Sequence, residues 1–187
     1  MELPPDNVPA DGMPAEGNAS AMTAETRQQF GALLERHRKI VFKVANTYAR
    51  NPDDRAELAQ EIAAQLWRAY PGYDPQRVFS TWMYRIALNV AISHLRSVQH
   101  QGVVLSLDEA LHELADDDVV HEADAQLRAL HRCIAQFEPL NRALLLLYLE
   151  DRSYREIAEI LGISETNVAT KLGRLKQRIR EQLTTES

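Results

Sequence analysis

Apolar residues recur along this chain in blocks with helical spacing. Phe30, Leu33, Leu34, Ile40, Val41, Val44 and Tyr48 fall on one face of a helix near residues 24–49. Pro52 interrupts the pattern, and Asp53 or Asp54 is placed to cap a second helix running to about Tyr70. Pro71-Gly72-Tyr73-Asp74-Pro75 reads as a loop, because proline fixes φ and glycine frees it. A third helix starts at Phe79 or Ser80 and turns Trp82, Ile86, Val90 and Leu95 inward. Three helices of this length suffice for a small bundle. After a stretch of weak periodicity, a second helical block opens near Ala125 with Leu127, Leu130, Ile134 and Phe137. Pro139 begins another helix, and the nearly unbroken apolar run Leu144–Leu149 predicts deep burial there.

The segment Ser153–Ile179 carries the sharpest local signals. Ser153 and Glu156 have the S-x-x-E spacing of a capping box, which satisfies backbone donors at a helix start. Ile157, Ala158 and Leu161 form an apolar stripe, and Gly162 stands where the helix must end and turn, often with positive φ. Ser164 can cap the following helix, whose Val168, Leu172, Leu175 and Ile179 share an inward face. Thr166, Asn167, Thr170, Lys171, Arg174 and Arg178 remain on the other side. That is a helix-turn-helix with its second helix shaped for a DNA major groove. A plain amphipathic hairpin would share the stripes, but turn, cap and charge asymmetry agree on DNA.

Charge changes the picture only once it is located. The net charge of −6 seems wrong for a DNA binder. Yet residues 1–22 hold four acids (Glu2, Asp6, Asp11, Glu16) without a Lys or Arg, and residues 97–127 hold eight (Asp108, Glu109, Glu113, Asp116, Asp117, Asp118, Glu122, Asp124), again without one. The rest of the chain has a surplus of six cations, and Lys171–Arg180 has five cations and no acid. Local charge governs attraction to phosphates. Residues 1–22, with four prolines, two glycines and no aromatic residue, are expected to be a disordered tail, with Met22 an alternative start. Residues 98–125 are expected to be a flexible acidic linker, with a short helix over Leu107–Leu114 possible on its pattern. The domains expected are therefore 23–97 and 126–181, two helical units on a string. A single cysteine, Cys133, excludes an intrachain disulfide, and no signal peptide or membrane-spanning apolar run is visible. A cytoplasmic protein is expected.

With that order on the page, the chain resembles the sigma subunits of bacterial RNA polymerase, and its size points to the extracytoplasmic-function (ECF) subfamily. The resemblance covers about residues 25–180. Its most specific matches are Asp54-x-x-Glu57-Leu58-x-Gln60-Glu61 and the run Phe79-Ser80-Thr81-Trp82-Met83-Tyr84-Arg85-Ile86-Ala87-Leu88-Asn89, close to the family's F-x-x-W-L-Y-R-I-A-x-N. The resemblance implies an all-α fold: a region 2 helical bundle and a region 4 helix-turn-helix joined by an acidic flexible linker. It implies that Asp54, Glu57, Gln60 and Glu61 dock on core polymerase. Tyr73, Asp74, Trp82, Tyr84, Arg85, Asn89 and Arg96 would recognise and melt the −10 element, which needs a pocket or aromatic face for an unstacked base. Trp82 is also read as partly packed in the core. Ser164, Thr166, Asn167, Thr170, Lys171, Arg174 and Arg178 would read the −35 element. The acidic linker would thread a basic polymerase channel and yield to growing RNA.

The implied partners are core RNA polymerase and promoter DNA, with an anti-sigma factor as a further partner the family admits, and no membrane insertion. No cofactor or metal is expected. The chain shows no P-loop, G-x-G-x-x-G or H-E-x-x-H, and His121, His131 and Cys133 fit no common zinc spacing. The subunit is therefore not expected to be an enzyme. Two rival readings are a stand-alone helix-turn-helix regulator and a sigma mimic that sequesters an anti-sigma factor. The first has no need of the Asp54–Glu61 and Phe79–Asn89 segments. The second is disfavoured by the cations kept on the last helix, and known mimics carry a receiver domain for which 187 residues leave no room.

Overall fold

The computed structural model describes residues 23–100, 134 and 136–185, and its regular elements there are helical. Three long helices come first: α1 (Ala24–Tyr48), α2 (Pro52–Ala69) and α3 (Phe79–His100), with a 3-10 turn over Tyr70–Gly72. Three more follow: α4 (Pro139–Leu149), α5 (Tyr154–Leu161) and α6 (Glu165–Thr185). The tail, the acidic segment, and Leu127 and Leu130 lie outside the described residues, as do the Leu107–Leu114 helix and the expected domain start at Ala125.

Local chemistry sets the helix starts. Thr23 caps α1, its hydroxyl accepting from the Thr26 amide at 3.2 Å. At α2 the cap is Asn51, not Asp53 or Asp54 as expected. Asn51 Oδ1 accepts from the Asp54 amide at 2.7 Å, and Pro52 takes the first helical position, where its missing N–H costs nothing. Pro52 thus begins the helix it was expected only to interrupt.

Packing corrects the inward face of α3. Met83, Tyr84, Ala87, Leu88 and Ala91 are the buried residues, while Trp82, Ile86, Val90 and Leu95 are only partly buried at its flank. The helix is covered on two sides, by α1 and α2 and by α4 and α5, so its buried stripe is rotated from the one a single bundle would select. Leu33 and Leu34 of α1 are likewise half-buried at the edge. In the second half Ala143, Leu144, Leu145 and Leu147 are buried, as the apolar run predicts, together with Ile157, Ile160, Val168, Leu172 and Leu175. Leu149 is exposed, so burial stops one turn short of the run's end.

The two halves do not sit apart. α1 touches α4, α3 packs on α4 and α5, and the buried apolar side chains of both halves form one cluster. Tyr48 Oη donates to the Pro139 carbonyl at 2.7 Å, and Lys43 Nζ donates to Glu150. The string in the sequence carries no information against such docking, because both surfaces are set by side chains far apart in the chain.

Candidate nucleic-acid interface

The helix-turn-helix is built as its sequence dictates. The capping box of α5 is complete: Ser153 Oγ accepts from the Glu156 amide at 3.2 Å, and Glu156 Oε2 accepts from the Ser153 amide at 2.9 Å and its hydroxyl at 2.7 Å. Gly162 ends the helix at φ +68°, a left-handed conformation that glycine adopts without penalty. Ser164 Oγ then accepts from the Asn167 amide at 3.2 Å to start α6. Hydrogen bonds from Ser153, then from Arg152 at 3.1 Å, hold the Glu156 carboxyl below the usual glutamate range. Its folded-state pKa lies under its unfolded one, so this support is present above about pH 4.3 and is lost as pH falls through the folded value. Ser153→Ala is expected to lower stability by about 1 kcal/mol at neutral pH. It should also flatten the acid side of the melting-temperature profile relative to the natural chain, measured by circular dichroism.

On α6, Val168, Leu172 and Leu175 are buried while Thr166, Asn167, Thr170 and Arg174 are exposed. Thr170 Oγ1 donates to the Thr166 carbonyl at 2.9 Å, leaving its lone pairs outward. Lys171 is half-buried. Arg178 departs from the expected arrangement in one respect: its guanidinium lies 5.1 Å from the centre of the Phe137 ring. Lys176 similarly covers Tyr148, at 3.9 Å. Sequence reasoning passed over Arg155, exposed in the first turn of α5, the helix that crosses the backbone in this motif. Its signal was a lone cation beside the capping box.

The first half presents two further faces. On α2, Glu57, Gln60 and Glu61 are exposed on one side, whereas Asp54 is half-buried and receives the Asn51 amide Nδ2 at 2.9 Å. Asp54 therefore also helps secure the helix start. On α3, Trp82, Arg85, Asn89 and Arg96 follow one another at helical spacing; the last three are exposed and Trp82 is half-buried. Beside this stripe the loop after the 3-10 turn holds an aromatic row. Tyr73 stacks on Tyr70 with ring centres 5.9 Å apart and lies 5.0 Å from Trp82 and 5.3 Å from Phe79. Tyr73 Oη donates to the Arg77 carbonyl at 2.6 Å, and Asp74 Oδ1 accepts from the Gln76 amide at 2.9 Å, which fixes the loop. Burial, with Tyr70 and Asp74 nearby, pushes the Tyr73 phenol up, keeping it a donor.

Tyr84 is the site residue the structure places elsewhere. It is 1% exposed, on the buried side of α3 from the Arg85–Asn89 stripe, and faces Glu150 and Arg152. Its ring offers no stacking surface in this arrangement.

A helix-turn-helix joined to a bundle with an acidic face and a cationic, aromatic face defines a DNA-binding transcription subunit. Comparison with known proteins gives the family. The sigma-70 region 2 model matches residues 33–101, and a sigma-70 region 4 model matches residues 127–179. Sigma factor SigV of Bacillus subtilis is 26% identical over 151 residues, covering 80% of this chain and 88% of its own. The ECF sigma factor SigK of Mycobacterium sp. strain JLS is 29% identical over 160 residues, covering 81% and 79%. Among solved structures, CnrH in complex with the cytosolic domain of CnrY superposes with a TM-score of 0.64 at 21% identity, over 90% of this chain and 94% of that one. Sigma factor RpoE in complex with the anti-sigma factor NepR, from Bartonella quintana, gives 0.60 at 17%, over 88% and 100%. The chain belongs to the ECF sigma factors of RNA polymerase, and its function is promoter-specific transcription initiation. No helix among the described residues is long and apolar enough to cross a membrane.

Proposed function

We propose that this subunit uses three separate surfaces to place core polymerase on a promoter. Glu57, Gln60 and Glu61 of α2, with Asp54 at the helix start, dock on a basic element of the core enzyme. Thr166, Asn167 and Thr170 of α6 meet base edges of the −35 element, with Ser164 at the helix start, and Lys171, Arg174, Arg178 and Arg155 meet phosphates. Trp82, Arg85, Asn89 and Arg96 of α3, with Tyr73 and Asp74 of the adjoining loop, take the −10 element and hold it open. The chemistry of RNA synthesis belongs to the core enzyme, so the subunit itself catalyses nothing, and it works in the cytoplasm. An anti-sigma protein is a further partner, supported by the RpoE–NepR complex among its structural neighbours.

The observation that carries this reading is the α3 stripe, where cations and an amide stand on the helix that flanks an ordered aromatic loop. A duplex-only regulator has no use for such a surface, whereas a melted strand needs both stacking and charge. Transcription with purified core polymerase on the fragment upstream of this chain's own gene tests it. Discrete transcripts that depend on the protein are expected. Arg85→Ala with Asn89→Ala should abolish them while leaving co-purification with core intact. Absence of transcripts together with absence of co-purification would overturn the reading.

A further inference from the structure

The docking of the two halves has a specific chemistry. The turn between α4 and α5 reaches across to α1 and α3. Glu150 accepts from Lys43 Nζ and lies 3.5 Å from Tyr84 Oη, while the Arg152 guanidinium sits 5.3 Å from the centre of the Tyr84 ring. Burial, reinforced by Glu150, pushes the Tyr84 phenol up to about 12, so it remains a donor at any physiological pH. One turn along, Tyr48 Oη holds the Pro139 carbonyl. These contacts join residues 66 to 107 positions apart in sequence.

The same docking brings α5 against the α3 stripe. A small cleft there is lined by Arg77, Val78, Thr81, Trp82 and Arg85 from the first half and by Glu159 from α5. Its walls are two cations, an indole and one carboxylate. A single strand would bring the same partners to the first three: negative charge for the arginines and a flat base for the tryptophan. Glu159 occupies the position of the charge. By contrast Glu57, Gln60 and Glu61 on α2 and Thr166, Asn167 and Arg174 on α6 stay exposed.

Promoter geometry gives an independent argument. Elements centred near −10 and −35 are separated by about 25 base pairs, or roughly 85 Å of straight B-DNA at about 3.4 Å per pair. Here α3 is in contact with α5, and α6 leaves α5 through Gly162 alone. Helix α6, of 21 residues, is only about 32 Å long at about 1.5 Å per residue. Both reading surfaces cannot meet one straight promoter in this arrangement.

We infer that this is a closed state in which the Glu150–Arg152 turn latches the halves together and α5, through Glu159, masks the −10 face while leaving the polymerase and −35 faces open. The inference rests on the proposed role of the α3 stripe. It assigns Glu150, Arg152 and Glu159 to regulation of that surface, with Lys43 and Tyr84 as their receivers. Core polymerase, which can dock on the open α2 face, is then the partner that releases the mask.

The test uses the full chain with Cys133→Ser and a dye pair at Arg68→Cys on α2 and Gln177→Cys on α6, both exposed positions. Single-molecule energy transfer should show one short distance in the free protein. Glu150→Ala with Glu159→Gln should shift it to a long, broad distribution, and Lys43→Ala, which breaks the same ion pair from the other side, should move it in the same direction. Binding of a fluorescein-labelled oligothymidylate of about 12 nucleotides, read by anisotropy, should tighten about fivefold or more in the double variant as the competent fraction rises. Core polymerase affinity should stay unchanged. A long distance in the natural chain, or a short one in both latch variants, would overturn the closed state. Opening without tighter single-strand binding would overturn the masking. None of these readouts needs transcription, so a chain that closes and opens as described yet directs no transcripts would fail the proposed function instead.

Discussion

Glu57→Ala combined with Glu61→Ala is expected to abolish promoter-directed transcription without changing the fold. Both side chains are exposed on α2, one turn apart, and the buried face beneath them is carried by Leu58 and Ile62. The only described contact at risk is Gln65 Nε2 donating to Glu61 Oε1 at 3.3 Å, an exposed pair separated by four residues and worth a few tenths of a kcal/mol. Stability should therefore stay within about 0.5 kcal/mol of the natural chain, the usual range for surface changes. At an interface the same two charges matter more, because each faces a partner charge as water is excluded. A loss of about 2 kcal/mol or more is expected, which is roughly a thirtyfold weakening of core binding. Titrating labelled protein with core polymerase measures it, and melting in parallel supplies the control. Glu35→Ala, also exposed but on α1 and paired with Arg38, should leave core binding unchanged. Equal loss from both variants would mean that general negative charge, and not the α2 face, draws the polymerase.

The second large effect belongs to the core. Leu144→Ala removes a side chain with no exposed surface from the centre of α4 and is expected to destabilise by about 2 to 5 kcal/mol, from lost burial and the cavity left behind. That is a large share of the roughly 5 to 15 kcal/mol available to a typical domain. Both tryptophans, Trp67 and Trp82, lie in the first half, so their fluorescence follows α1–α3, whereas far-ultraviolet dichroism follows all the helices. In a urea titration the dichroism of the variant should move to lower denaturant while the tryptophan transition stays near its natural midpoint. Leu58→Ala, equally buried in α2, should shift both signals. Coincident shifts for Leu144→Ala would mean that the docked halves unfold as one unit.

What could be read from the sequence divides along a physical line. The capping box, the left-handed glycine, the Ser164 cap and the inward stripe of α6 are set by residues within a turn or two of each other, and each stands where its spacing placed it. The run Leu144–Leu147 announced burial by composition alone. Asn51 escaped because two aspartates behind the proline offered equally good caps, and only the fixed φ of Pro52 decides that the residue before it must serve. The rotated face of α3 and the burial of Tyr84 escaped for a deeper reason. They follow from docking with α4 and α5, whose contributing residues leave no periodic mark near residue 84. Arg178 and Lys176, drawn onto Phe137 and Tyr148, show the same limit for surface cations: their spacing marks the helix face, and the neighbouring aromatic ring decides how far they reach.

The hydrogen bond from Tyr48 to the Pro139 carbonyl has a consequence in time. It closes a loop of 91 residues, whereas α1, α2 and α3 pack on one another through shorter connections. Contacts local in sequence form early, and long closures are slow because chain entropy is spent before they are made. Domains generally fold as the chain emerges, the amino-terminal one first. On the ribosome, the α3 stripe is therefore complete before α5 exists to cover it. Each newly made molecule passes once through an uncovered form, and its release from the ribosome is followed by a race between a polymerase and its own last helices.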